Sequence, residues 1–287
     1  HPDQVLPAWS ETEAAQRAAS LLRSGSTHAA MKGLIHTDIL LKALLNASAG
    51  LRQPGTRVSH VFLADIPAYP KLLAISDAAV NIAPDLSAKA AILQHAIDLM
   101  ASIGVDLPKA AILSAVETVN PLISSSLDAA ALSVMSHRGQ VRGALVDGPL
   151  AFDNAISLKA AEVKGIASPV AGDADILLVP DLVSGNILAK NLEYMADATL
   201  AGLVLGLNAP IVLPSRADPV DARLAGLALA RLSLAAKARK SAPQDKAPVW
   251  PVHATRSSPM PEVDCCPPSD STPTSPTSLN GGAHAEP

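Results

Sequence analysis

Polar side chains that can bind anions or move protons follow three short apolar runs of this sequence. The residues that share this placement are Asp147 and Asp153 after GALV, Asp181, Gly185 and Asn186 after DILLVP, and Ser215, Arg216, Asp218 and Asp221 after PIVLP. Arginine offers an anion a rigid fork of donors, and a helix that starts after a strand adds backbone N–H groups. The set suits an anionic substrate. Each residue alone also has a structural explanation, because Asp often caps a helix and Gly-Asn often makes a turn.

The motifs of several common enzyme classes are absent. The sequence has no GxGxxG after an apolar run, no GxxxxGK[ST] and no GxSxG, which argues against a Rossmann cofactor site, a P-loop and a nucleophile elbow. Its eight histidines show no HExxH or comparable zinc spacing. We therefore expect neither a nucleotide cofactor nor a metal.

Composition narrows the class of protein further. The 287 residues are 49% hydrophobic but only 2% aromatic, so Ala, Leu, Val and Ile must build the core. A net charge of −4 argues against nucleic-acid binding. The adjacent Cys265 and Cys266 exclude a disulfide framework and a four-cysteine metal site. No apolar run approaches the roughly 18 residues of a membrane span and no signal peptide is evident, so we expect a cytoplasmic enzyme.

Branched apolar runs alternate with amphipathic stretches over the first 240 residues. The predicted strands are 60–66, 110–116, 143–148, 174–181, 202–206 and 210–215, and the predicted helices include 11–24, 87–104 and 218–238. Ser87 and Asp218 are the expected N-caps, and Gly104 is expected just beyond a C-terminus. This alternation predicts an α/β fold with a mostly parallel sheet that binds ligands at the carboxyl ends of its strands. Residues 241–287, rich in Pro, Ser and Thr, predict a disordered tail.

Three segments together resemble the phosphate acetyltransferase/phosphate butyryltransferase family. They are ALVDGPLAFDNAIS (144–157), SPVAGDADILLVPDLVSGNILAKNL (168–192) and PIVLPSRAD (210–218). Segments at 31–45, 57–86 and 111–121 also fit, so the resemblance covers residues 11–238. It is closest to the branch that is fused behind an enoyl-CoA hydratase-like domain in bifunctional proteins.

The resemblance implies reversible transfer of an acyl group between coenzyme A and inorganic phosphate, with acyl-CoA as a substrate and no cofactor. It also implies a homodimer and a two-domain fold like that of the isocitrate and isopropylmalate dehydrogenases, with a cleft between the domains. Domain one would comprise residues 1–53 and 203–240, and domain two residues 54–202. An enoyl-CoA hydratase-like domain is a candidate partner, whereas a nucleic acid or a membrane is not.

The Ser-Arg pair of the family falls on Ser215 and Arg216. By the resemblance, Arg216 binds phosphoryl oxygens and stabilises the transition state, and Ser215 hydrogen-bonds the acyl phosphate. A fixed cation suits a reaction that builds negative charge on a tetrahedral carbon. The family's base for the CoA thiol falls near Asp221, although the spacing is about one residue short. Asp218 competes for this role and is also a natural N-cap.

Other site residues are placed by the same resemblance. His36 and Thr37 open a helix where phosphate binding is expected, although Thr37 is also a natural cap. Lys42 stands near the position of an arginine in many relatives. Lysine keeps the charge but loses the bidentate fork, so we expect Lys42→Arg to lower the Michaelis constant for CoA or phosphate. The residues expected near the cleft are Asp147, Asp153, Asp181, Gly185 and Asn186.

This sequence departs from the family pattern at its start. Relatives carry a substantial α/β segment before the region that matches residues 11–30, so we expect a truncated product that needs a partner fragment or is unstable. We predict a phosphate acetyltransferase. The alternatives are a butyryltransferase, which the SRAD spacing favours, and an inactive remnant or interaction subunit. A dehydrogenase on the same fold would lack its nicotinamide and metal-carboxylate motifs here.

Overall fold

Short strands and intervening helices alternate along the chain. The computed structural model describes residues 5–52 and 55–241. In these residues the strands are β1 (Ala30–Met31), β2 (Ser59–Asp65), β3 (Leu73–Ser76), β4 (Lys109–Leu113), β5 (Leu145–Leu150), β6 (Ile176–Leu178), β7 (Thr199–Leu205) and β8 (Ile211–Val212). The helices are α1 (Glu11–Arg23), α2 (Thr37–Leu45), α3 (Leu86–Ser102), α4 (Ser124–His137), α5 (Phe152–Ile156), α6 (Leu158–Val163), α7 (Leu182–Met195) and α8 (Val220–Ser241), with a 3-10 turn at Ala47–Ala49. Across those two ranges, no helix is both long and apolar enough to cross a membrane.

All of these strands join one sheet in the order β1-β8-β7-β2-β3-β6-β4-β5. Four pairings are parallel, namely β1 with β8, β3 with β6, β4 with β6 and β4 with β5. The pairings of β2 with β3, β2 with β7 and β7 with β8 are antiparallel. The α/β class with a mostly parallel sheet is therefore confirmed.

The mixed pairing puts the carboxyl ends of the strands at two opposite borders of the sheet. Strands β1, β2 and β8 run in one direction and finish at what we call the β8 border. Strands β3, β4, β5, β6 and β7 run in the opposite direction and finish at the β6 border. Polar residues that follow different strands therefore do not all meet, contrary to the expectation for a fully parallel sheet.

Helices cover both faces of the sheet. Ile176 and Leu178 of β6 pack into a core shared with α3, α4 and α8, whereas Leu177 between them packs on the other face with α5, α6 and α7. Helices α1 and α2 cover this second face near β8. Strands buried on both faces need apolar side chains at every position, which explains their continuous apolar runs.

Two helix starts differ from the sequence prediction. Helix α3 is capped by Asp85, whose carboxylate accepts the Ala88 N–H at 2.7 Å, and not by Ser87, which is already helical. Gly104 follows this helix with φ +98°, as expected. Asp218 does not cap α8, because its carboxylate accepts the Ser215 N–H instead.

The proposed division into two domains remains a prediction. Its boundary between residues 202 and 203 falls inside β7, and strands on both sides of it belong to the same sheet. The predicted tail lies outside the described residues, apart from Ser241 at the end of α8.

The close packing of Gly172 against the backbone of Leu158 can be tested by substitution. It adopts φ +80°, and a Cβ there would lie 2.6 Å from the Leu158 backbone nitrogen. We expect Gly172→Ala to lower the free energy of unfolding by about 3 kcal/mol, because backbone strain adds to a clash with rigid backbone. Gly165 is the matched control, since it has φ +65° but open space around it. Gly165→Ala should cost only about 1 kcal/mol in urea denaturation, and equal losses would contradict the steric argument.

Candidate functional site

The segment that follows β8 forms a closed turn at the β8 border. The Asp218 carboxylate accepts the Ser215 N–H at 2.7 Å, and the Asp218 N–H points back to the Ser215 carbonyl at 3.3 Å. Arg216 and Ala217 stand at the exposed tip of this turn. The side chain that sequence analysis proposed as a cap therefore shapes the loop that presents Arg216.

Arg223 in the first turn of α8 holds the same loop. Its Nε donates to the Asp218 carbonyl at 3.3 Å and its Nη2 donates to the Arg216 carbonyl at 3.3 Å. A guanidinium provides five donors, so these bonds leave it further hydrogen-bonding capacity. Arg223 was not among the predicted site residues, although it lies in the segment SRADPVDAR (215–223).

The amino end of α2 lies beside Arg216. Arg216 Nη2 donates to His36 Nδ1 at 3.4 Å, and the His36 N–H donates to the Glu11 carboxylate at 3.1 Å. His36, rather than Thr37, occupies the N-cap position, and its side chain makes no capping hydrogen bond. The N-terminus of this nine-residue helix carries partial positive charge close to the guanidinium. The structure thus brings His36 and Thr37 to the Ser215–Arg216 turn.

A buried lysine lies next to the same turn. Lys32 follows β1, its N–H donates to the Val212 carbonyl, and it is only 5% exposed. Its ammonium donates to the carbonyls of Gly33 at 3.2 Å and Ile35 at 3.5 Å, and among the described residues it contacts no carboxylate. Burial lowers the pKa of Lys32, and the positive charge of Arg216 lowers it further. Because β1 has only two residues, it is too short for a strand pattern that would predict the position of Lys32.

Lys32, Arg216 and Arg223 together form a cation cluster at the β8 border. The positive charges of Arg216 and Arg223 both lower the pKa of Lys32, and the negative charge of Asp218 opposes them. Such a cluster is unfavourable unless an anion joins it, because like charges in a partly buried place repel. The cluster therefore points to a site for a strongly anionic group.

Asp218 has the electrostatic character of a proton acceptor. Burial raises the pKa of Asp218 most strongly, the Ser215 N–H opposes this, and Glu193 raises the pKa further. A carboxylate with a raised pKa is a stronger base. Asp221, by contrast, is exposed in the first turn of α8, and its carboxylate makes no hydrogen bond or ion pair within the described part of the chain.

Glu193 and Lys190 bring the end of α7 to this site. Their side chains pair at 2.6 Å, and both act on the pKa of Asp218. Helix α7 starts at the β6 border after β6, and its 14 residues span about 21 Å toward the β8 border. The predicted site residues of α7 lie at its start, whereas the end of the helix approaches the Ser215–Asp218 turn.

The predicted residues at the start of α7 have structural contacts there. The Asp181 carboxylate caps the helix through the Ser184 N–H and hydroxyl, both at 2.8 Å, and these bonds lower the pKa of Asp181. Gly185 packs closely on the chain that follows β3, since a Cβ there would lie 2.7 Å from the Asp77 carbonyl oxygen. Asn186 donates to the Ala78 carbonyl at 3.2 Å. These three residues lie at the β6 border, away from Arg216.

The predicted pair Asp147 and Asp153 lies still farther from the turn. Asp147 belongs to β5 and accepts the Gly148 N–H, whereas Asp153 in α5 pairs with Lys164 at 3.0 Å. The hydrogen bond from Lys164 lowers the pKa of Asp153. Six strand spacings separate β5 from β8, about 29 Å across the sheet. Within a single chain, Asp147 and Asp153 therefore lie far from Ser215.

Lys42 lies on a different side of α2 from the cation cluster. It is exposed and lines a groove of about 430 Å³ between α1 and α2, together with Asp38 and Arg23. Six residues after His36, it is offset by about 240° around the helix axis. No three or more His, Cys, Asp or Glu side chains in the described ranges are arranged to hold a metal ion.

Comparison with known proteins identifies the family. Residues 9–230 match the family model described as "Phosphate acetyl/butaryl transferase". The phosphate acetyltransferase of Rickettsia prowazekii is 54% identical over 228 residues, which are 79% of this chain and 65% of the relative. A probable phosphate butyryltransferase of Bacillus subtilis is 46% identical over 80% of this chain and 77% of its own length.

A solved structure agrees with these sequence relatives. The branched-chain phosphotransacylase of Enterococcus faecalis superposes with a TM-score of 0.73 at 34% identity, over 80% of this chain and 82% of that one. The present chain spans about 65% of the length of the Rickettsia relative. The family model covers most of the chain and all of the cation cluster, so the chain belongs to the phosphate acetyl/butyryl transferase family.

Proposed function

We propose that this protein is a phosphate acetyltransferase, which transfers an acetyl group reversibly between CoA and inorganic phosphate. The observation that carries the proposal is the cation cluster of Lys32, Arg216 and Arg223 beside the amino end of α2, in a chain of net charge −4. Phosphate is the anion that such a cluster suits, because guanidinium groups bind its oxygens in a fixed geometry. Family membership supplies the reaction class.

The geometry supports a direct transfer. In the direction of acetyl-CoA synthesis, Asp218 accepts the thiol proton of CoA, and the thiolate attacks the carbonyl carbon of acetyl phosphate. A tetrahedral carbon with a negative oxygen forms, and the carbon–oxygen bond to phosphate then breaks. Arg216 and Lys32 stabilise the negative charge on the departing phosphate, and the Ser215 hydroxyl donates to the acyl oxygen. CoA and phosphate are substrates, and the residues described need no cofactor for these steps.

Phosphate-dependent release of CoA tests the proposed reaction. The full chain is mixed with acetyl-, propionyl- or butyryl-CoA, and free thiol is measured with and without phosphate. Release from acetyl-CoA that needs phosphate supports the acetyltransferase, whereas faster release from butyryl-CoA supports the butyryl alternative. No release from folded protein would favour the inactive remnant or the need for a further segment.

The variant Lys32→Met tests whether Lys32 binds phosphate or only contributes to the stability of the fold. We expect the Michaelis constant for phosphate to rise about tenfold, because a charged hydrogen bond to the anion is lost. The free energy of unfolding should rise by about 1 kcal/mol, because an unpaired buried charge is replaced by an apolar side chain. Lys159→Met, at an exposed lysine of α6, is the control that should change neither quantity. A loss of stability with an unchanged Michaelis constant would assign Lys32 a purely structural role.

Three further properties follow from the resemblance and are part of the proposal. We propose a homodimer, a cytoplasmic location and an enoyl-CoA hydratase-like partner domain. The exposed apolar side chains Val183 and Ile187 on one face of α7 are compatible with a subunit contact. Light scattering of the purified chain checks the dimer, since a monomeric mass at micromolar concentration would reject it.

A further inference from the structure

A second cavity lies at the opposite border of the sheet from the cation cluster. It has a volume of about 460 Å³ and opens between α3, α8 and the carboxyl end of β7. This volume falls in the range of small-molecule sites. Strand β7 finishes at the β6 border, whereas Arg216 lies at the β8 border, so the cavity is separate from the proposed active site.

Lys237 contributes a positive charge to this cavity. Its ammonium donates to the Leu207 carbonyl at 3.1 Å, and its other two donors have no partner among the residues that the structure describes. No carboxylate within the described ranges pairs with it, and burial lowers the pKa of Lys237. Lys237 is an exposed residue of α8, and the ammonium that it brings to the cavity wall is a natural partner for an anion in the adjacent cavity.

His95 contributes a fixed ring nitrogen. Its Nδ1 lies 2.8 Å from the Ser59 hydroxyl, and Ser59 is fully buried. A buried hydroxyl needs an acceptor, so Ser59 donates to Nδ1 and the ring proton is on Nε2. Burial lowers the pKa of His95, and the positive charge of Lys237 lowers it further. Nε2–H has no partner in the part of the chain that the structure describes, and His95 lines the cavity.

Gly206 lets the His95 ring take this position. Gly206 has φ +86°, and a Cβ there would lie 2.9 Å from His95 Cε1. A side chain at this position would clash with the ring and, even more closely, with the Arg57 carbonyl oxygen. Gly206 thus leaves room for the His95 ring, and the bond to Ser59 fixes its orientation beside the cavity.

Ser233 adds a third donor on the same wall. It stands one helical turn before Lys237 on α8, so the two side chains share a face. Ser233 is 6% exposed and lines the cavity, and its hydroxyl makes no hydrogen bond within the described residues. Asp98 also lines the cavity, from the exposed surface of α3. Because the Asp98 carboxylate repels anions, it favours a ligand with a single anionic group that lies next to Lys237.

We propose that this cavity binds a small molecule through one carboxylate or phosphate group, held by Lys237, His95 and Ser233. Each of the three offers a donor, and none of these donors is paired with a carboxylate of the described chain. The site does not depend on the proposed acetyltransferase reaction. Helix α8 carries both Arg223 and Lys237, 14 residues or about 21 Å apart, so a ligand here would contact the helix that holds the Arg216 turn.

The test uses the full chain with Arg216→Ala, so that the cation cluster contributes less to anion binding. Inorganic phosphate and succinate are the two probes, and sodium chloride of equal ionic strength is the blank. At ten times its dissociation constant, a bound probe should raise the melting temperature by about 3 °C and shift the His95 ring signals in NMR spectra. A response to phosphate alone or to succinate alone identifies the source of the anionic group.

Matched variants decide whether the response belongs to this cavity. Lys237→Met should abolish it, whereas Arg239→Met, which removes a charge from the same helix outside the cavity, should keep it. Ser233→Val provides a second test if Lys237→Met does not fold. The proposal is overturned if neither probe exceeds the blank, if Lys237→Met keeps the response, or if both charge variants lose it equally.

Discussion

Replacement of Arg216 by alanine is expected to lower kcat/KM for acetyl phosphate formation by about a thousandfold. Removal of one preorganised donor at a developing negative charge costs a factor of about 10² to 10³, and Arg216 also carries a full charge. The exposed tip of the Ser215–Asp218 turn holds Arg216 where substrate can reach it. The rate of CoA release at saturating and subsaturating phosphate measures the loss.

Two control variants separate charge from geometry at this position. Arg216→Lys keeps the charge but loses the fork, so it should recover part of the lost rate. Arg231→Ala removes an exposed arginine of α8 and should leave the rate unchanged. Equal rates in Arg216→Ala and the unmodified chain would remove Arg216 from the mechanism and weaken the proposed function.

The family and the α/β class were predictable because both depend on local sequence. Runs such as ADILLVPD are apolar at every position, since β6 is buried on both faces. The three diagnostic segments lie within residues 9–230, which match the family model. Strand β3 was missed because its four residues, Leu73–Ser76, form a short antiparallel neighbour of β2 rather than a separate βα unit.

Which of the site residues lie close together was less predictable, because their proximity depends on the directions of the strands. A fully parallel sheet would bring the residues after β6 and β8 to one border, but these strands run in opposite directions. Asp181 therefore lies at the opposite border from Ser215. The residues that do approach the turn include Lys32, Arg223 and Glu193. They come from elements whose spatial neighbours cannot be found from spacing along the chain.

Asp218→Asn distinguishes the two candidate bases. Asparagine can still accept the Ser215 N–H through its amide oxygen, so the turn should persist while the proton acceptor is lost. We expect kcat in the direction of acetyl-CoA synthesis to fall by about 10²-fold or more, as for other lost general bases. Asp221→Asn is the matched control and should change the rate little, because Asp221 is exposed and unpartnered among the described residues. The reverse ranking would assign the role to Asp221.

The pH dependence of the same variant tests the cause of this effect. Burial raises the pKa of Asp218, so the acid limb of the kcat/KM profile should lie above the ordinary Asp value of about 3.9 and vanish in Asp218→Asn. A carboxyl whose pKa is raised by folding stabilises the protein fully below its unfolded pKa, and this contribution is lost as pH rises through the folded pKa. Asp218→Asn should therefore be more stable than the unmodified chain at neutral pH and equally stable below about pH 3.9. A variant that is less stable at neutral pH would show that the carboxylate is needed for the fold, and a fall in its activity would then not identify Asp218 as the base.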